Sequence, residues 1–293
     1  MDASPASHQI IADLLAEHTG QQLTEGRRWR VDTALSGVFR EHGISNVDQL
    51  VCLMGGQKSA AATRAIHKQV VEALLNNETY FFRDKPTFDQ LPETILPTLA
   101  QKRAATRRIS IWCAGCSTGQ EVHSLAMLFA EAPERWVGWT IDILGTDISE
   151  RAIGAARSGL YSQFEVQRGL GVIEMLRFFD EGSKGWQIKP EVSQTTRFMV
   201  QNVLAEPPAI GRFDLVLCRN VLLYFDQATR ARAFARLASA LCPDGLLMLG
   251  SGETVVGQTD AFAPCVDRAS LYELRHPARP FHSPPTIRAL QST

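Results

Sequence analysis

The residues best placed to do chemistry surround a short glycine turn. Gly115 and Gly119 follow an apolar run through Ile109, Ile111 and Trp112, after which Val122, Leu125, Ala126 and Phe129 recur at helical spacing. Glycine lets the backbone turn tightly from strand to helix. The first helical turn then leaves N–H groups unsatisfied at the positive end of the dipole, which favours a carboxylate or phosphate. The next apolar run, Ile141, Ile143 and Leu144, ends on Asp147. A carboxylate there can take the two hydroxyls of a ribose, or it can cap the helix that follows. The turn lacks the G-x-G-x-x-G spacing of a dinucleotide fold. One glycine turn and one strand-end acid suit a ligand with a single adenosine and a charged tail, which points to S-adenosylmethionine over NAD.

Elements on both sides must position these groups. Four helices are predicted over residues 5–20, 25–43, 46–54 and 58–76, ended by Gly20, Gly43, Gly55-Gly56 and Asn76-Asn77, and residues 1–76 read as an all-α domain. Residues 77–107 read as a connector broken by Pro86, Pro92 and Pro97. From 108 to 275 strands and helices alternate as in a doubly wound α/β sheet. Between 159 and 197 the alternation fails: one predicted helix (167–179) and a turn at 182–185 lead into Gly185-Trp-Gln-Ile-Lys189, the mark of a small antiparallel β insertion. Ligands of open α/β sheets lie beyond the carboxyl ends of the strands, where the glycine turn, Asp147, Asn202 and Asn220 would converge. The tail, 276–293, is proline-rich and reads as disordered.

Composition narrows the function classes. The 293 residues, 45% hydrophobic, are enough for two packed domains, and 31 acidic against 30 basic side chains give no reason to expect nucleic-acid binding. No apolar run approaches the roughly 18 residues that span a bilayer, and the start MDASPASH lacks the parts of a secretory signal, so a cytoplasmic protein without membrane insertion is expected. Cysteines embedded mostly in apolar runs fit a reducing compartment. Cys113 and Cys116 form a C-x-x-C, but no second pair or paired histidines accompany it, and no metal is expected. His123 reads as a satisfied or solvent-facing histidine.

Four blocks occur in order: LLNNETYFFRDKPTF, the turn S-T-G-Q-E, the strand-end Asp147, and CRNVLLYFD. With them the chain resembles the chemotaxis-receptor methyltransferases, the CheR family, from about Ile10 to Leu274. The resemblance implies an N-terminal helical domain followed by a Rossmann-like class I methyltransferase domain bearing the β insertion. It also implies S-adenosyl-L-methionine as methyl donor, S-adenosyl-L-homocysteine as product, and methyl-ester formation on glutamates of a chemoreceptor or receptor-like protein by a monomer. Asn77, Thr79 and Arg83 would reach over the cofactor. Gly115, Glu121 and Asp147 would hold its methionine and ribose, and Asn202, Val203, Asn220 and Val221 would line the adenine and methyl end. Glu121 lies in the first helical turn, where a carboxylate is favoured and can pair with an ammonium. Asn202 follows a strand and can offer amide donors and an acceptor to an adenine edge. The family commonly has two acids after the glycine, where this chain has Gln120 and Glu121.

A glutamate side chain, with a pKa of about 4.3, is already anionic at pH 7, so the chemistry needs no general base. Arg83 and Tyr224 are the catalytic candidates, steering the substrate carboxylate. Phe81 and Phe82 read as wedges that lock the connector onto the α/β domain. Arg27 with Arg30, and Arg64 with Lys68, share predicted helix faces and are the candidate contacts for acidic receptor helices; an ordinary solvated surface is the alternative. Some members of the resembled family dock a receptor tail on the antiparallel insertion. The short turn from Asp180 to Gly185 leaves little room for that, so engagement through Arg64, Lys68 and their neighbours is expected. A small-molecule methyltransferase and a non-catalytic, cofactor-dependent binding module remain as alternatives.

Overall fold

The computed structural model describes residues 4–275 apart from 25, 27–29, 57, 58 and 267. Helices α1 (Pro5–Thr19), α2 (Val31–His42), α3 (Val47–Gly55) and α4 (Ala60–Leu74) come first. Ser4, Asn46 and Ser59 cap α1, α3 and α4 by accepting from backbone N–H groups in the first turn. Ile11, Leu15, Leu35, Leu50 and Val70 bury the apolar faces of all four in one cluster. Helix α2 is described from Val31, Gly26 is also helical, and residues 25 and 27–29 of the expected helix lie outside the described residues. Arg30 is the cap residue of α2, and its expected pairing on one face with Arg27 lies outside the described residues.

The expected broken connector is helical. Helix α5 (Lys85–Gln90), a π turn (Leu91–Ile95) and α6 (Leu96–Lys102) follow without a gap. Each proline sits in the first positions of its segment, where a missing N–H costs least, and the wider π turn accommodates Pro92. Phe88, Leu91, Ile95 and Leu99 recur at helical spacing and are buried in the core of the α/β part. Their periodicity outweighs the prolines.

Among the described residues ten strands follow: β1 (Arg108–Ala114), β2 (Thr140–Asp147), β3 (Leu160–Tyr161), β4 (Phe179–Gly182), β5 (Gly185–Ile188), β6 (Thr196–Val200), β7 (Phe213–Cys218), β8 (Leu241–Leu249), β9 (Phe262–Pro264) and β10 (Leu271–Leu274). Seven form a mixed sheet in the order β6-β2-β1-β7-β8-β10-β9. The first five are parallel and β10 pairs antiparallel with both its neighbours. Ile109, Ile111 and Cys113 face one core and Trp112 and Ala114 the other, as alternation along a strand requires. The chain builds outward from β1 through β2 to β6, then crosses to β7 on the other side of β1. That reversal opens a crevice at the carboxyl ends.

The insertion is a three-stranded antiparallel sheet in the order β3-β5-β4. Its single expected helix is two: α9 (Gln163–Gln167), which follows helices α7 (Gln120–Glu131) and α8 (Glu150–Ser158) in chain order, and then α10 (Val172–Phe178). A capping box between Ser162 and Glu165 starts α9 earlier than periodicity alone indicated. Thr196 and Arg197, placed in the insertion by the sequence reading, belong to β6 of the main sheet. Among the described residues no helix is long and apolar enough to cross a membrane. The proline-rich tail lies outside them.

Candidate active site

The crevice is a cleft of about 820 Å³, its mouth included, a size suited to a small ligand. At its floor the N–H groups of Gly115 and Cys116 both donate to Thr146 O. Gly115 has φ +85°, and a Cβ there would lie 2.3 Å from Val221 Cγ2, so glycine is required both for the turn and for the close approach of the β7 loop.

Asp147 ties the two loops of this floor together. Its Oδ2 accepts from Ser117 N at 2.8 Å and its Oδ1 from Ser149 N at 2.9 Å. Burial pushes its pKa up, against the pull of these two N–H bonds. The cap of α8 is Ser149, whose Oγ accepts from Ala152 N. Asp147 is thus a wall of the cleft and not merely a helix cap, and each oxygen keeps a lone pair for a ligand hydroxyl.

Asn77, Thr79 and Arg83 line the cleft from the segment after α4. Ser117 Oγ donates to Asn77 O at 2.7 Å, joining that segment to the glycine turn. Arg83 donates to Glu78 O at 2.9 Å and stands 5.6 Å above the Tyr80 ring, with Arg168 over the same ring at 4.6 Å. Arg168 also pairs with Glu78 at 2.6 Å and holds that carboxyl below its ordinary pKa. Phe81 is fully buried against Tyr161 and Phe179, and the partly buried Phe82 packs on Phe88, so both act as wedges.

Glu121 lines the cleft with Oε2 2.9 Å from Arg219 Nη1. Arg219, which the sequence reading passed over, is 1% exposed at its side chain and also donates to Arg83 O and Asp84 Oδ2. It pins the backbone beside Arg83. Its signal was an arginine directly after the apolar run FDLVLC. Glu253 was also missed: it accepts from the N–H groups of Asn220, Val221, Leu222, Leu223 and Gly250. This carboxylate holds Asn220 at φ +60° and so shapes the loop that carries Asn220 and Val221 into the cleft. The acid closing the turn G-S-G-E after the last parallel strand was its signal.

Val203, Asn202 and Tyr224 complete the wall. Asn76 Nδ2 donates to Tyr224 Oη at 2.8 Å. Asn202 Oδ1 accepts from Leu204 N at 2.9 Å and its Nδ2 reaches His18 O at 3.4 Å, so its acceptor serves its own loop.

The basic candidates lie elsewhere. Lys68 pairs with Glu150 at 2.5 Å, and Glu72 on the same helix accepts from Ser149 Oγ and Glu150 N. Helix α4 is thereby bolted to the start of α8. Arg64 is exposed one turn earlier, and Arg30 lines a separate groove with Leu74 and Asn76. His123 is buried and does not face solvent: Nε2 lies 3.3 Å from Ala156 O, Nδ1 has no partner, and burial lowers its pKa to about 4. Cys113 and Cys116 are buried thiols whose pKa burial raises. Among the described residues no group of three or more His, Cys, Asp or Glu could hold a metal ion.

The wall chemistry fits an S-adenosyl cofactor. Glu121 offers a carboxylate to an ammonium and Asp147 a carboxylate to hydroxyls. Gln21 Oε1 and Asn220 Oδ1, on residues lining the cleft, are enclosed without partners.

Sequence comparison with known proteins agrees. The family described as CheR methyltransferase, SAM binding domain, matches residues 77–270. Chemotaxis protein methyltransferase 1 of Pseudomonas aeruginosa is 31% identical over 266 residues, 89% of this chain and 95% of that one. A chemotaxis protein methyltransferase of Borreliella burgdorferi is 31% identical over 251 residues, 84% of this chain and 87% of that one. Among solved structures, an amino pentose methyltransferase from Micromonospora echinaspora with SAM bound aligns with a TM-score of 0.32 at 14% identity, over 60% of this chain and 58% of that one.

Proposed function

The chain belongs to the CheR methyltransferase family, and from that premise we propose how its residues perform S-adenosylmethionine-dependent methylation of protein glutamates. When bound, the cofactor supplies a methyl group already activated on a sulfonium. Gly115, Glu121 and Asp147 hold the methionine and ribose, Asn202 and Val203 the base, and Asn220 and Val221 the methyl end, with Asn77 and Thr79 closing over them. Arg83 and Tyr224 steer the incoming glutamate carboxylate into line, Arg83 by charge and Tyr224 by its hydroxyl, while the wedge of Phe81 and Phe82 locks the segment that carries Arg83 onto the α/β core. Alignment of this kind lowers a barrier by on the order of 7–11 kcal/mol.

The substrate is the set of cytoplasmic methylation helices of a chemoreceptor or receptor-like protein, met by a monomer in the cytoplasm. Arg64 is the leading basic contact on the helical side (1–76), with Lys68 one turn on and Arg27 and Arg30 as further candidates. Lys68 is the weaker candidate because Glu150 already occupies it. The single observation that carries the reading is the convergence of Glu121, Asp147, Arg83 and Tyr224 on one cleft.

Transfer of labelled methyl from S-adenosylmethionine into a receptor band, with base-labile release as methanol, tests it. Label in a small molecule instead, or cofactor binding without transfer, would replace the reading.

A further inference from the structure

Thr19 and Gln21 line the cleft from the end of α1, far along the chain from its other residues. Gln21 Oε1 is enclosed with no hydrogen-bond partner. Enclosed amide oxygens are ordinarily paired, so an unpaired one in a cleft wall calls for a donor from whatever fills the cleft.

The segment around it is fixed. Gln21 N donates to Thr19 Oγ1 at 3.0 Å, Gln21 bridges to Phe225, and Gln22 N donates to Tyr224 O at 2.8 Å. Gly20, at φ +82°, is wedged where a Cβ would lie 2.5 Å from Leu204 Cδ1 and 2.9 Å from Thr229 Cγ2. Gln21 is thereby seated between the loop after β6 and the loop after β7.

The base of the cofactor supplies the donor that fits. Adenine presents ring nitrogens that accept and one exocyclic amine that donates. Asn202 Oδ1 already accepts from Leu204 N and its Nδ2 reaches His18 O, so its amide is oriented by its own loop, whereas Gln21 Oε1 has no partner. The other unpaired oxygen, Asn220 Oδ1, sits on the loop held by Glu253 after β7, three strands along the sheet from Asn202. We propose that Gln21 Oε1 accepts a hydrogen bond from the exocyclic amine of adenine, so that the helical N-terminal part of the chain selects the base. The inference rests on the cofactor reading above.

Calorimetric titration of the full chain with S-adenosylhomocysteine and with its inosine analogue, in which a carbonyl replaces the amine, tests it. The unaltered protein should prefer adenine. Gln21→Leu should lose about three- to tenfold in affinity for S-adenosylhomocysteine, with affinity for the inosine analogue unchanged or tighter. Gln21→Glu, which keeps an acceptor, should retain the preference for adenine. Equal weakening of both ligands by Gln21→Leu would make the residue part of the joint between the helices and the sheet, and overturn the proposal. Unchanged affinity for both would overturn it too. An unaltered protein that binds neither ligand would instead overturn the cofactor reading itself.

Discussion

Asn76, two residues past the end of α4, donates from its side-chain amide to the Tyr224 hydroxyl at 2.8 Å. The phenol assigned to steer the substrate is therefore oriented from the opposite wall of the cleft. Asn76→Ala and Tyr224→Phe should each lower kcat by roughly two- to tenfold, the weight of one hydrogen bond. The double variant should be no slower than the worse single one, because the two act as a unit. Rates that multiply in a methylation assay would show that the pair works separately.

Asp147→Asn should weaken S-adenosylhomocysteine binding by about tenfold or more and also lower the melting temperature. A charge-assisted bond contributes about 1.5–3 kcal/mol, and here the carboxylate takes N–H groups from both Ser117 and Ser149. Unchanged affinity by calorimetry in the folded variant would remove Asp147 from the ribose site.

Arg219→Leu leaves Glu121 and Asp84 without their shared cation. Breaking a fully buried pair costs about 3–5 kcal/mol. The two acids keep some solvent, so a loss of about 2–3 kcal/mol in urea unfolding is expected, together with slower turnover from a loosened Arg83. Arg219→Lys keeps the charge without the planar fork and should fall between.

The buried His123 makes stability depend on pH. Its folded pKa of about 4 lies below the ordinary 6.5, so the unfolded chain binds the proton first. Its contribution is complete above about pH 6.5, is lost as pH falls, and levels off below about 4, with a total of about 3 kcal/mol. His123→Phe should flatten this limb in urea midpoints measured from pH 7.5 to 4.5. An equally steep loss in the variant would assign the limb to other groups.

Much of this site was legible because its residues fall at the ends of apolar runs. Gly115, Asp147, Asn202 and Asn220 each follow a strand that periodicity identifies, and parallel strands deliver their carboxyl ends to one edge. Arg219 and Glu253 also follow strands, but their partners are distant side chains and backbone N–H groups whose proximity only the folded chain creates. Pro86, Pro92 and Pro97 misled because each was read as a breaker by itself, while the spacing of Phe88, Leu91, Ile95 and Leu99 carried the stronger signal. Gln21 left no trace at all, since a lone glutamine after a helix-ending glycine looks like any loop.

The walls of the cleft come from segments far apart in the chain. Asn76 meets Tyr224 across 148 residues and Gln22 meets Asp226 across 204. Contacts between such distant segments close large loops, at a cost in chain entropy that the packed walls must offset. A ribosome that has released the first 200 residues has supplied the glycine turn and Asp147, yet the opposing wall at 219–225 is still to come. Cofactor capture therefore has to wait until residues 219–225 have been made, and a product truncated before them that keeps the recognisable glycine turn would have little grip on S-adenosylmethionine.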